Sequence, residues 1–417
     1  MKWEEMERDV IRCTKCGSCQ AVCPIFKELQ SESAVARGKV SLMKAVLKGN
    51  VEPTAEFIEK MALCLNCKAC TVNCPSKTPV DHLVLQTREK LVAEHGLPLV
   101  KRLVLRMALK HRKLFDMGMN MGSVFQGLVL KEVKGKGVLP RLPMGLKQKR
   151  LLAPVASQSF KSRYPERVEV EKPRETVVFF TGCTINYMFP EIGVAVVEVL
   201  KKNNINVIIP GNQHCCGTPA YANGDVTTAI ELARATVDAL SIPGTDAVIT
   251  ACGSCGSAIR KEYQDLLKNQ PGYPEKVEAL AKKTVDFTEY LVKIGIKVSD
   301  LKPINRVVTY HESCHLTRGQ GVKTEPRQVM TSIPGVTLKE MKEPGRCCGM
   351  AGSFSLSHYE LARKINQHKI DDIISTGANT LITGCGSCIM HIRDGIYQNG
   401  LKIEVLHTAE LLAEAYK

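Results

Sequence analysis

Eighteen cysteines, spaced in four groups, constrain this chain more than any other feature. Two groups share one tight spacing: Cys13-x2-Cys16-x2-Cys19-x3-Cys23-Pro24 and Cys64-x2-Cys67-x2-Cys70-x3-Cys74-Pro75. The other two follow a looser plan of five. The first has Cys183, Cys215-Cys216-Gly217 and Cys252-x2-Cys255; the second has Cys314, Cys347-Cys348-Gly349 and Cys385-x2-Cys388. No cysteine falls outside these groups, so whatever the thiols bind organises the fold. Soft thiolate ligands must stay reduced, which argues against a disulfide framework and for metal binding in the cytoplasm.

In a C-x2-C-x2-C-x3-C-P run, three thiolates wrap one face of a cubane and the fourth crosses to the neighbouring cluster. One [4Fe–4S] cluster is therefore expected on Cys13, Cys16, Cys19 and Cys74, and a second on Cys64, Cys67, Cys70 and Cys23. Zinc is the alternative, but its sites favour paired C-x2-C units with longer gaps. Two cubanes with exchanged ligands lie close together and make an electron relay. Residues 37–48 have helical spacing through Val40, Met43, Val46 and Leu47. Residues 53–62 read as a helix with Pro53 in its first turn. A helical, two-cluster ferredoxin-like domain over residues 1–95 follows.

From Thr176 onward the chain repeats. The offset is 131 residues at the first cysteine, 132 at the vicinal pair and 133 at the last two, which marks a duplicated module. Val177-Val178-Phe179-Phe180 and Val307-Val308-Thr309-Tyr310 read as buried strands leading to Cys183 and Cys314. Residues 246–250 and 379–383 read as strands before each C-G-S-C string. Helical segments at 191–202, 226–240 and 359–375 alternate with them, giving an α/β fold with parallel strands. Cysteines just past strand ends should converge at the carboxyl edge of each sheet. The expected modules span 175–300 and 301–417, after a basic helical connector over 96–174.

Each module offers five thiolates, one more than a cubane takes. Vicinal cysteines are awkward ligands for well-separated irons of one cube, and the glycine after each pair lets backbone approach a bulky group. This crowding suggests a more open, non-cubane cluster, with zinc or a vicinal disulfide as alternatives. His214, His311, His315 and His391 lie near cysteines and are expected to hydrogen-bond or pack. His214 and His315 adjoin the expected ligands and could tune a potential or move protons, as could Glu312, for which a solvated carboxylate is the expectation. No Walker loop occurs, and Gly319-Gln320-Gly321 has Thr324 where a dinucleotide motif needs glycine, so no flavin or nicotinamide site is expected.

The formal charge is +15, and residues 101–163 hold fifteen Lys and Arg against Asp116 and Glu132, a local excess of +13. So localised a charge is not the surface of a nucleic-acid binder. It fits a patch facing an acidic partner or an anionic membrane. Leu99, Val100, Leu103, Val104 and Met107 share a helical face there, followed by Met117, Met119, Met121, Val124 and Phe125. A packed helical hairpin and a docking surface are the two readings. The start, Met1-Lys2-Trp3-Glu4-Glu5, lacks the apolar core of a secretory signal, and no apolar stretch is long enough to span a membrane.

The CCG modules resemble those of heterodisulfide reductase catalytic subunits and of the iron–sulfur subunits of glycolate oxidase and anaerobic glycerol-3-phosphate dehydrogenase. The resemblance covers nearly the whole chain. Cys348-Gly349-Met350-Ala351-Gly352-Ser353-Phe354 and Lys261-Glu262-Tyr263 look most like the glycolate oxidase subunit. Cys255 and Cys388, which that subunit typically lacks, are present as in heterodisulfide reductases. The resemblance implies two cubanes plus one or two further [4Fe–4S] clusters of non-cubane type. It implies an electron-transfer subunit of a flavin-dependent glycolate or lactate dehydrogenase, with the flavin on a partner chain and a quinone or other carrier as acceptor. The alternative is a heterodisulfide-reductase-type catalytic subunit cleaving a disulfide. Peripheral contact with the inner face of the cytoplasmic membrane through residues 101–163, and no nucleic-acid partner, complete the expectation.

Overall fold

The computed structural model describes residues 6–141 and 150–417. The acidic start Met1–Glu5 and two of the basic residues, Lys147 and Lys149, lie outside that range. The N-terminal part is helical, with Glu7–Ile11, Pro24–Leu29, Ala36–Leu47, Ala55–Ala62 and Val80–His95 as its main helices. Met6, Val10, Val40, Met43, Phe57, Met61, Leu83 and Val84 meet in its core. One expected boundary is corrected. Pro53 stands outside its helix, and Thr54 is the N-cap, accepting the Phe57 N–H at 3.3 Å. A hydroxyl satisfies a free N–H at that place, which proline cannot do.

The connector departs further from expectation. Its helices Leu99–Arg102 and Arg112–Val129, joined through a π-turn at Leu103–Ala108, lead into an antiparallel hairpin. The hairpin strands are β1 (Leu130–Val133) and β2 (Gly137–Pro140). The apolar face is not packed: Val100 is 73% exposed, and Val124 and Leu128 are each 74% exposed. Three of its cations are paired instead. Arg106 pairs with Asp225 at 3.1 Å, Lys110 with Glu231 at 2.8 Å and Arg112 with Asp116 at 2.9 Å. Asp225 is almost wholly buried and needs a partner, which the connector supplies. Part of the +13 excess is thus consumed internally. Arg150 is buried as well, donating to the Ser355 carbonyl at 2.6 Å.

Two α/β modules follow. The first contains β3 (Arg167–Val168), β4 (Glu175–Phe180), β5 (Ile205–Ile208), β6 (Ala247–Thr250) and β7 (Thr284–Asp286). Their order is β3-β5-β4-β6-β7, parallel except for β3 at the edge. The second contains β8 (Arg306–His311), β9 (Val336–Leu338), β10 (Thr380–Thr383) and β11 (Glu404–His407), ordered β11-β10-β8-β9 and all parallel. Strands β6 and β10 are buried at every residue, as strands covered on both faces must be. In each module the first parallel strand lies between the second and third. The chain therefore reverses direction across the sheet at the carboxyl ends of β4 and β8, just before Cys183 and Cys314.

The modules share one continuous core. The glycine of each C-G-S-C string sits against the other module. A Cβ on Gly253 would lie 3.0 Å from the Leu316 nitrogen, and one on Gly386 would lie 2.8 Å from Thr184 Cγ2. The Gly253 N–H donates to the Gly384 carbonyl at 3.2 Å. No helix among the described residues is long and apolar enough to cross a membrane.

Candidate metal centre

Both ferredoxin runs use the same backbone device. Lys15 and Gly17 have φ of 59° and 84°, and Asn66 and Lys68 at the matching places have 50° and 61°. Left-handed residues between successive cysteines curl the loop, so that three thiols face one centre and backbone N–H groups form an anion-binding concavity. A non-glycine residue costs about 1 kcal/mol or more in that conformation, which persists only where the surroundings require it. Cys74 lines one small cavity with Cys13, Cys16 and Cys19. Cys23 lines another with Cys64, Cys67 and Cys70, and Cys70 borders both. Burial pushes the Cys23 thiol up to about 11 and Cys70 well above the ordinary thiol value.

The ten module cysteines form one line of neighbouring thiols. In the first module each thiol shifts the titration of the next, from Cys183 through Cys215, Cys216 and Cys255 to Cys252. In the second the same influence runs from Cys314 through Cys347, Cys348 and Cys388 to Cys385. The two lines meet where Cys252 Sγ and Cys385 Sγ stand 3.9 Å apart. At the other end Cys347 reaches Cys67 of the second ferredoxin run. Both vicinal pairs are polarised alike. Hydrogen bonds from Cys215 and Cys255 hold the Cys216 thiol well below the usual range, and those from Cys347 and Cys388 do the same for Cys348.

Around this line the modules differ. His311 ends β8, and its ring nitrogen, Cys348 Sγ and Cys388 Sγ all lie within 4.8 Å of one another. Burial holds His311 and His391 below the ordinary imidazole value. His315 Nδ1 is 3.5 Å from Cys314 Sγ. His214 is half-buried beside Cys215, and Arg112 and Lys161 add to the effect of its burial in lowering its pKa. The expectation for Glu312 is overturned: it is 5% exposed and pairs with Arg327 at 2.9 Å. A carboxylate just past the buried end of β8 finds no water, so it takes a guanidinium instead.

Several supporting residues are invisible to motif reading. The Tyr263 hydroxyl donates to the Cys216 carbonyl at 2.9 Å, and Asn366 Nδ2 does the same for Cys348 at 2.9 Å. Arg88 is half-buried and donates to the carbonyls of Met61, Cys64 and Ala222. Lys39, 1% exposed, donates to the Leu63 carbonyl at 3.3 Å. Tyr263 alone left a signal, as part of the Lys261-Glu262-Tyr263 string.

This donor set fits iron–sulfur clusters. It is all soft thiolate, its module part is mostly buried, and two cations with no ion pair among the described residues, buried Lys39 and half-buried Arg88, stand near Cys64 and add positive potential there. Comparison with known proteins agrees. A 4Fe-4S dicluster domain matches residues 9–78, and a cysteine-rich (CCG) domain matches residues 177–260 and again 308–393. The chain belongs to the family of iron–sulfur oxidoreductase subunits that join a dicluster domain to two CCG domains. Within that family it is 31% identical to the probable glycolate oxidase iron-sulfur subunit of Bacillus subtilis, over 98% of this chain and 94% of that protein. It is 28% identical to a subunit of the fumarate reductase (CoM/CoB) of Methanothermobacter marburgensis, over 97% of this chain and 72% of that one. Lactate utilization protein A of Bacillus cereus is 31% identical over 57% of this chain and 98% of its own length. The protein is the iron–sulfur subunit of an oxidoreductase.

Proposed function

We propose that this chain carries electrons for a flavin-dependent 2-hydroxyacid dehydrogenase whose flavin resides on a partner protein. The partner would oxidise glycolate or lactate to the 2-oxo acid, releasing two electrons and two protons. The observation that carries this reading is the unbroken line of thiols from Cys183 through the Cys252–Cys385 contact to Cys347 and Cys67. Bound clusters supply one-electron redox centres. The protein's own part is to hold those centres in series and keep water from them.

On this reading Cys13, Cys16, Cys19 and Cys74 hold one cubane, and Cys64, Cys67, Cys70 and Cys23 hold the other. Cys183, Cys215, Cys216, Cys252 and Cys255 hold a further [4Fe–4S] cluster of non-cubane type. Cys314, Cys347, Cys348, Cys385 and Cys388 hold its counterpart. The functional units are residues 1–95, the connector 96–174, whose last strand β3 completes the edge of the next sheet, and the modules 175–300 and 301–417. The outward apolar face of the connector, flanked by the exposed cations Arg102, Lys113 and Lys131, rests on the surface of the cytoplasmic membrane. Quinone is the acceptor this placement favours.

Anaerobic purification tests the reading directly. The native protein should contain roughly sixteen irons if four sites hold four each, and it should co-purify with a flavoprotein that reduces it on adding glycolate or lactate. An iron content near eight, with zinc in the modules, would sink it. A second reading, disulfide reduction at the modules, is favoured by the full ligand sets and by the cavity beside Cys347 that Lys27, Arg318 and Arg346 border. Oxidation of a dithiol to its disulfide by the purified protein, with an added dye taking up the two electrons and no hydroxy acid present, would establish that alternative.

A further inference from the structure

Helix Val80–His95, residues Ala222 and Asn223 of the first module, and the stretch from Ala351 to His358 of the second enclose a cavity of about 210 Å³ beside Cys64. None of the ten module cysteines lines it. Ile58, Leu91, Leu97 and Phe354 give it apolar walls, and no carboxylate lines it among the described residues. Arg88 builds the wall but is already occupied by backbone carbonyls. Two further polar groups at this wall bear on its ligand. Asn66, between Cys64 and Cys67, is 8% exposed, and its Oδ1 has no hydrogen-bond partner among the described residues. Lys101 forms no ion pair among them and stands half-buried at the rim, where burial and the Arg88 charge lower its pKa.

A ligand for this space must be largely apolar, must carry oxygen acceptors for a lysine, and must suit an amide that can donate through nitrogen or accept through oxygen. At about 210 Å³ the cavity is smaller than the ~300–1,000 Å³ of most drug-sized sites. It holds one ring system with any substituent outside. The rim leads from Leu97 and Pro98 straight onto the exposed apolar side chains of Leu99, Val100, Leu103 and Val104. We propose that this cavity binds the ring of a lipophilic quinone, with one oxygen toward Lys101, the other toward Asn66, and its tail along the connector's apolar face. Asn66 Nδ2 donates to the quinone carbonyl, and its Oδ1 accepts from the quinol hydroxyl.

The assignment rests on the electron-carrier reading for its chemistry. The quinone takes up two electrons and two protons, its two C=O groups become C–OH, and it leaves as the quinol. The electrons come from the hydroxy acid oxidised by the partner flavoprotein, and the protons come from water at the rim.

Anaerobic, cluster-loaded full-length protein would be titrated with menadione, a tailless naphthoquinone, by equilibrium dialysis. Saturable binding is expected. Val92→Trp, which fills the cavity, and Lys101→Met, which removes the rim cation, should each weaken it tenfold or more at unchanged iron content. If one variant fails to load iron, the other decides. Absence of saturable binding by the wild type, or wild-type affinity in the loaded variants, would overturn the site. Reduction of a soluble dye by the partner flavoprotein through the same samples separates the two claims. Dye reduction without quinone binding removes the cavity assignment alone. Quinone binding without dye reduction keeps the site and removes the electron-carrier reading.

Discussion

The two CCG modules hold the same thiols in the same order on the same sheet, yet they surround them differently. At equivalent places the first has Phe180, Thr181, Thr236 and Ala258, and the second has His311, Glu312, Lys369 and His391. The first braces its vicinal pair through the Tyr263 hydroxyl and the second through the Asn366 amide. Duplication thus preserved what binds and changed what lies beside it. Hydrogen-bond donors and cations near a cluster favour its reduced, more negative state, whereas apolar neighbours do not. A centre in the second module should therefore have the higher potential. It is also the module whose Cys347 touches Cys67.

The strongest test removes one thiol from each module. Cys216→Ser and Cys348→Ser should each lose about four of roughly sixteen irons while the N-terminal cubanes survive. Each should lower electron transfer at least a hundredfold. Equal loss of all clusters from either variant, seen by iron assay and paramagnetic resonance, would mean that the modules do not bind independently.

Next in size is a pair of opposite pH effects at matching helix caps. Asp286 and His407 each cap the helix after the last strand of their module, each within a capping box. Burial raises the Asp286 carboxyl from 3.8 to about 6 and lowers the His407 imidazole from 6.5 to about 4. Between those values folded Asp286 holds a proton that the unfolded chain has lost, so its contribution falls as pH rises from about 4 to 6. Unfolded His407 gains a proton that the folded chain refuses, so its contribution falls as pH drops from about 6.5 to 4. Each shift corresponds to about 3 kcal/mol. Melting curves across this range should show Asp286→Asn removing the first slope and His407→Asn the second. Parallel changes in the two variants would refute the contrast.

A smaller effect is expected where the modules touch. Gly253→Ala places a methyl group against Leu316 backbone, and Gly386→Ala places one against the Thr184 side chain, which can rotate. Overpacking at such contacts costs about 1–3 kcal/mol. Gly253→Ala should be the worse of the two, measured by thermal unfolding, and the reverse order would show that the interface adapts elsewhere.

The smallest effect comes from His311→Phe, which gives the second module the residue of the first. Loss of the polar ring beside Cys348 and Cys388, taken at the ~1 kcal/mol of one hydrogen bond to a bound cluster, equals about 40 mV in a one-electron couple. A redox titration should find one centre lowered by that amount and the others unmoved. An unchanged potential would confine His311 to packing.

Much of this was legible in the residues because it is local. The C-x2-C-x2-C-x3-C-P runs, the offsets of the duplication, the buried strands ending near Cys183 and Cys314, and helices 226–240 and 359–375 all follow from spacing and periodicity. The connector shows where such reasoning stops. Its amphipathic pattern is plain, but periodicity cannot say which face is covered. Buried Asp225 drew Arg106 inward and left Val100, Val124 and Leu128 in the open. Glu312 escaped for a related reason, since only the folded sheet reveals that its carboxylate has no route to water.

By itself the sequence determined the inventory: eighteen thiols in two ferredoxin runs and two matching sets of five, on a helical domain and two parallel sheets. Short-range rules of spacing, capping and strand burial suffice for that. Only the tertiary structure decided that the modules face each other through the glycines of their C-G-S-C strings, that Cys252 meets Cys385 at 3.9 Å, and that Cys347 reaches Cys67. Those contacts join residues up to hundreds of positions apart. They arise from the docking of whole packed faces, which no local period encodes.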